Sequence, residues 1–331
     1  MSETLENNNV KKQNHWFSLP LFKQAFKSNW ILWVVLTVGS AAIFFIINIV
    51  ICSKNIFTNI EMDKVTVYVT DENLSWLQIL GLLETMGFNL SRIQVMSRID
   101  LNSVINDLVY KIAGVLLPMI YVMITANSLI ANQVNSGSMA YVLSTPTSRK
   151  TVLRTSYLYM IAAIFAMYVV IVASALISET IAGAIRIKAN GGDFNMLPLR
   201  TVLYCFASFC AMFALTGVCF GASAFFNKSN NSIAVGGGVC IVSFLGCILG
   251  LFGSEVFVSV GIGVEAMNFF NYLSIFTLIN TDSISSFSKA VAGLDASISY
   301  TWIWQLAIMI AIGAITALIG SIKFVKKDLP L

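Results

Sequence analysis

The chain has 331 residues, of which 57% are hydrophobic and 11% charged, with a formal net charge of +4 and a mean hydropathy of +0.81. Soluble domains carry about a quarter charged residues, so this balance excludes an ordinary soluble enzyme and points to an integral membrane protein. One histidine, His15, leaves little for histidine-based metal or acid–base chemistry, and all six cysteines (Cys52, Cys205, Cys210, Cys219, Cys240, Cys247) lie in or beside apolar runs. They read as small buried hydrophobes and not as an extracellular disulfide framework.

Residues 1–17 read as a polar cytoplasmic tail. Lys11 and Lys12 precede an apolar run too long for a secretory leader, so no cleaved signal peptide is expected. In the stretch 18–29, SLPLFKQAFKSN, Leu19, Phe22 and Phe26 share one helical face and Lys23, Gln24 and Lys27 the other. With Trp16, Phe17 and Trp30 this predicts an amphipathic helix at the headgroup level, leading into the first span. The plainer alternative is a basic flank of a membrane helix.

Six stretches reach the roughly 20 apolar residues that a crossing needs: 30–52, 109–131, 157–178, 201–226, 233–253 and 303–325. None contains Asp or Glu, and Lys111 and Lys323 lie near ends. Gly217/Gly221 and Gly246/Gly250 form two GxxxG pairs, for which close helix packing is expected. The predicted fold is an all-α integral membrane protein with six transmembrane helices, the interfacial helix, a short cytoplasmic coupling helix and small extracellular elements.

Placing the N-terminus inside puts just over half of the basic residues in the N-terminal segment, the shorter loops and the terminal KFVKKD, so both termini are expected in the cytoplasm. Residues 53–108 then lie outside. They contain a strand-like VTVYVT (65–70), an apolar helix face of Trp76, Ile79, Leu80, Leu83 and Met86, and Asp100 capping a helix that enters the second span. Residues 254–302 are half apolar but broken by Gly and Glu, which predicts re-entrant or interfacial helices beneath a small external cap. Glu255 and Glu265 either line a substrate exit or face water at the interface.

The most informative stretch is 127–159, NSLIANQVNSGSMAYVLSTPTSRKTVLRTSYLY, whose link 132–148 cannot itself cross a bilayer. Gly137, between Ser136 and Ser138, suits a helix end with positive φ. An apolar patch of Met139, Tyr141, Val142 and Leu143 follows. Pro146 then suits the first turn of a new helix capped by Ser144 or Thr145, ahead of the basic Arg149, Lys150 and Arg154. The pattern predicts a short helix lying across the membrane surface, turned sharply at both ends.

Catalytic signatures are missing. No GxxxxGK[ST] phosphate loop occurs, since Lys228-Ser229 follows Asn227 in place of the required Gly, and neither HExxH nor GxSxG is present. The chain is expected to have no catalytic, metal or cofactor site of its own. Spans without carboxylates also argue against a proton- or sodium-coupled carrier.

The six-span pattern and the run SGSMAYVLSTPTSRKTVLRTSYL resemble the permease subunits of ABC-2 type transporters. The likeness rests on Gly137-Ser138, Leu143-Ser144, Pro146, Ser148 and Arg149, with weaker similarity in NYLSIFTLINTDSI (271–284) and KFVKKDLPL. It spans about residues 18–331. The family often has acidic residues just before the Gly, where this chain has Asn132, Gln133 and Asn135. The resemblance implies an exporter subunit in a bacterial plasma membrane, working with a second or related permease among membrane lipids, with no nucleic acid. A separate cytoplasmic ATPase would bind ATP and dock on the link through Gly137, Ser138, Met139, Tyr141, Leu143, Pro146 and Arg149. The other classes compatible with the residues are a secondary carrier or channel, and a non-transporting membrane sensor or assembly protein.

Overall fold

The computed structural model describes residues 16–53, 110–111, 114–144, 147–190, 197–253, 258, 263–293 and 298–327. The expectations for residues 1–15, the strand at 65–70, the Trp76–Met86 helix, Asp100, Thr145, Pro146 and Glu255 fall outside them. Among the described residues the chain is helical, without strands.

Among the described residues, six helices are long and apolar enough to cross a membrane. They are α1 (Leu19–Ser53), α2 (Gly114–Asn135), α4 (Arg149–Asn190), α5 (Pro198–Phe225), α6 (Ser229–Phe252) and α8 (Thr301–Lys326). The short helix α3 (Ser138–Ser144) links α2 to α4, and α7 (Thr281–Val291) precedes α8. Each span is an apolar run, so in a bilayer its backbone must be satisfied within the segment, and a helix does that. Pro20 and Pro198 stand in first turns, where the missing N–H costs nothing.

Two boundaries depart from the sequence reading. The surface helix expected over 18–29 is not a separate element but the first part of an uninterrupted 35-residue α1. No Gly or Pro between Leu21 and Val38 offers a break. At about 52 Å, α1 exceeds a hydrocarbon core of about 30 Å, so it cannot lie wholly within that layer if upright. The third span, expected to end at 178, is the middle of a 42-residue helix continuing to Asn190. Glu179 therefore sits inside this long helix, one residue beyond the expected span; at about 63 Å the helix exceeds a hydrocarbon core of about 30 Å, so the expectation of a carboxylate-free span over 157–178 is not contradicted.

Packing divides the molecule into a link end (the start of α1, α3, the start of α4, the α5–α6 turn and Lys327) and a far end. Helices α1 and α4 run in the same direction, tied by Ser18 N–H to Thr155 Oγ1 (3.2 Å), Trp33 Nε1 to Ala163 O (2.8 Å) and Ser174 Oγ to Ala41 O (2.8 Å). Helices α5 and α8 form the most extensively packed pair. A Cβ on Gly217 would overlap the Gly313 backbone, and one on Gly221 would come within 2.6 Å of Thr316 O.

The second glycine pair, Gly246/Gly250, packs differently. Its partner is not another span but a 3-10 segment, Glu265–Leu273, which folds back along α6. Gly253 faces Asn268, Gly250 faces Asn271, and Gly246 faces Phe270 and Ser274. Seven residues of α6 correspond to about 10 Å of depth. A further 3-10 turn, Phe276–Leu278, leads to α7, whose start is fixed by Tyr204 Oη donating to Thr281 O (3.1 Å) and by Asn280 Oδ1 accepting from Ser283 N–H (3.0 Å). Large apolar side chains exposed on α1 and α8, among them Val35, Val38, Leu318 and Ile322, suit a lipid surface.

Candidate functional site at the link end

Near its link end α2 widens into a π turn, Asn127–Ala131, and resumes as α-helix over Asn132–Asn135. Gly137 then takes φ = 73°. Its N–H donates to Val134 O (3.2 Å), and its carbonyl accepts from Ala140 N–H (3.0 Å), opening α3. A Cβ at Gly137 would meet nothing within 4 Å. The glycine is demanded by backbone conformation alone. Ser138 Oγ donates to Gln133 O (3.2 Å) and pairs with Ser136 Oγ (3.0 Å), bracing the turn.

The apolar patch of α3 is not one face. Met139 is 1% exposed and seated in the core, and Val142 and Leu143 are half-buried against it, whereas Tyr141 is 81% exposed. Helical spacing explains the split: positions i, i+3 and i+4 share a face, and i+2 lies about 200° away. Met139, Val142 and Leu143 hold the link on the bundle, and Tyr141 projects from it.

The start of α4 also differs from expectation. Its cap is Ser148, whose Oγ accepts from Thr151 N–H (3.2 Å), in place of Ser144 or Thr145. Ser144 Oγ instead donates to Tyr141 O (2.7 Å). Arg149, half-buried, donates to Lys327 O (3.0 Å), so its guanidinium serves the chain itself. Lys327 Nζ in turn donates to Ala224 O (3.1 Å), Phe225 O (3.3 Å) and Phe226 O (3.2 Å), capping the end of α5 where the helix dipole favours a cation. Burial, with the Lys323 charge adding to it, pushes the Lys327 pKa down to about 8.

Between α1 and the link lies a cleft of about 220 Å³, lined by Gln24, Ser28, Asn132, Gln133, Val142 and Ser156 among others, none of them charged. At the π turn Asn127 Nδ2 donates to Ser229 Oγ (2.8 Å), which donates back to Asn127 Oδ1 (3.1 Å). At the far end the buried Glu179 accepts from Thr201 Oγ1 (2.8 Å) and lies 3.9 Å from Arg200. This pairing ties α4 to the start of α5 and gives the buried carboxylate a hydroxyl donor and a nearby cation.

Among the described residues no cluster of three or more His, Cys, Asp or Glu could hold a metal ion. The structure brings together Gly137, Ser138, Met139 and Leu143 as the attachment of the link, turns Tyr141 outward, and assigns Arg149 to the chain terminus; Pro146 lies outside the described residues. Sequence reasoning missed the α6 contact of Asn127, the capping role of Ser148 and the placing of Lys327 on the end of α5. The visible signals were an Asn ending an apolar run, a Ser just before a basic helix start, and a doubled Lys after the last span. What this end offers is mechanical: a short helix fastened by one face, with the other presented to solvent. A family model described as ABC-2 family transporter protein matches residues 24–329. No match was found among curated proteins or among solved structures.

Proposed function

From the premise that the chain belongs to the ABC-2 family of transporter proteins, and so is a permease subunit of an ABC transporter, we propose that it is driven by a separate cytoplasmic ATPase that docks on α3. The observation that carries this reading is the division of α3: Met139 anchors the helix in the core while Tyr141 stands 81% exposed beside it. A soluble partner pressing on the Tyr141 side would move α3, and through Met139 and the Gly137 turn it would move α2 and α4. The link end then faces the cytoplasm of a bacterial cell, in agreement with the basic residues Lys150, Arg154, Lys323 and Lys326 gathered there. A second copy or a related permease completes the pathway, and the direction of transport is export. ATP is bound by the partner, not by this chain.

The experiment is co-purification with the cognate ATPase in mild detergent. Tyr141→Asp should cut ATPase recovery severalfold while leaving membrane level and melting temperature unchanged, because an exposed side chain contributes little to folding. Met139→Asp should lower both, through a charge buried without a partner. Full ATPase recovery by Tyr141→Asp would rule out docking through this face.

A further inference from the structure

The π turn Asn127–Ala131 lies immediately before the link, and single π turns inside α-helices are frequent at functional sites. Here the turn is hydrogen-bonded sideways. Asn127 and Ser229 exchange donor and acceptor at 2.8 and 3.1 Å, and Ser229 is the first residue of α6. Further along the same pair, a Cβ at Gly237 would come within 2.9 Å of the Met123 methyl, so α2 and α6 run close here.

The other half of α6 holds the far segment. Asn271 Nδ2 donates to Gly250 O (3.3 Å) and to Asn268 Oδ1 (2.7 Å), while Gly250 and Gly253 leave no room for a side chain. Between these engagements one side of α6 is open in this chain, with Val235, Val239, Ile241, Val242 and Leu245 all exposed. Helix α6 is thus joined at one end to the π turn of the link helix and at the other to the 3-10 segment Glu265–Leu273.

We propose that Asn127 and Asn271 are positioning residues that carry a shift of the link through α6 to the segment Glu265–Leu273, so that the far segment changes place with the nucleotide state of the ATPase. The inference rests on the docking reading above. Coupling requires an element with two arrangements that both sites bias; in this proposal the π turn, relaxing to α-helix, is that element.

The test uses the permease–ATPase complex in nanodiscs, in a Cys52→Ser background carrying Tyr272→Cys, a position 86% exposed beside Asn271. The rate of reaction with a charged maleimide is read without nucleotide and after trapping with ATP and vanadate. The parent should change its rate about fivefold or more on trapping. Asn127→Leu, Ser229→Ala and Asn271→Leu should lose that change while still binding an ATPase that hydrolyses ATP. Ser229→Thr, which keeps the hydroxyl, should retain it. A parent without a nucleotide-dependent rate despite an active bound ATPase overturns the proposal, as does full response in Ser229→Ala, the mildest change. A parent that captures no ATPase refutes the docking reading itself.

Discussion

On α5, Gly217 and Gly221 lie against Gly313, Thr316 and Gly320 of α8, backbone against backbone over two turns. On α6, Gly246 and Gly250 have the same spacing, yet they meet the irregular segment around Phe270, Asn271 and Ser274. Two helices approaching in lipid have already satisfied their backbones, so small residues and dispersion suffice to hold α5 on α8. A short 3-10 segment leaves carbonyls and amides at its ends that need partners. Asn271 Nδ2 answers Gly250 O, Thr277 Oγ1 donates to Asn271 O (2.6 Å) and Ser274 O (2.7 Å), and Ser274 Oγ accepts from Phe276 N–H (3.1 Å). The first contact is a fixed seam between glycine-lined helices; the second is a polar latch with glycine on one side only. Small-residue spacing specifies how near a partner comes, not what the partner is.

The largest effect is expected at the seam. Gly217→Leu or Gly313→Leu forces backbone from backbone, at a cost of about 3 kcal/mol. Size-exclusion profiles should show loss of monodisperse protein, while Gly238→Leu, whose Cβ meets nothing within 4 Å, should behave as the parent. At the latch, Gly250→Val should release the far segment and leave the bundle standing, since the first atom displaced is the Asn271 side chain. Hydrogen exchange should rise over 265–280 with a shift in melting of only a few degrees; global unfolding there would erase the distinction between seam and latch.

Gly137 is a third kind of glycine, pressed by nothing but held at φ = 73°. Gly137→Ala should cost about 1–2 kcal/mol from conformation alone, and Gly137→Asn less, as read by thermal melting. An effect as large as that at Gly217 would mean that the turn is packed after all. The smallest effect concerns the cap at the end of the seam. Lys327 should become reactive to an acylating reagent with a midpoint near pH 8, being protonated and slow below it. A midpoint at the ordinary lysine value of 10.5 would place the amine in open water.

The spans were legible because each is an apolar run with no competing structure available in lipid, and the positive φ of Gly137 was legible from a lone Gly between serines after such a run. The opposed facing of Met139 and Tyr141 was also within reach, since a two-residue offset turns a helix through about 200°. The extension of α4 through SETIAGAIRIKAN was not. Glu179 looks like a terminator until Arg200 and Thr201 arrive from the next helix, and that pairing is tertiary. The partner of Gly246/Gly250 was hidden for the same reason. The cap at Ser148 was ambiguous among neighbouring hydroxyls, and only the start of the helix at Arg149 decides between them.

The seam between α5 and α8 also has a consequence in time. Thr301 begins 76 residues after Phe225, so the groove side of α5 is made well before the helix that fills it. At roughly 5–20 residues per second, the face of Gly217 and Gly221 waits about 4 to 15 s during synthesis with lipid or an insertion factor in place of its partner. Ribosome stalling before α8 emerges would leave that notch open in the bilayer, a ready signal for membrane quality control to recognise an unfinished chain.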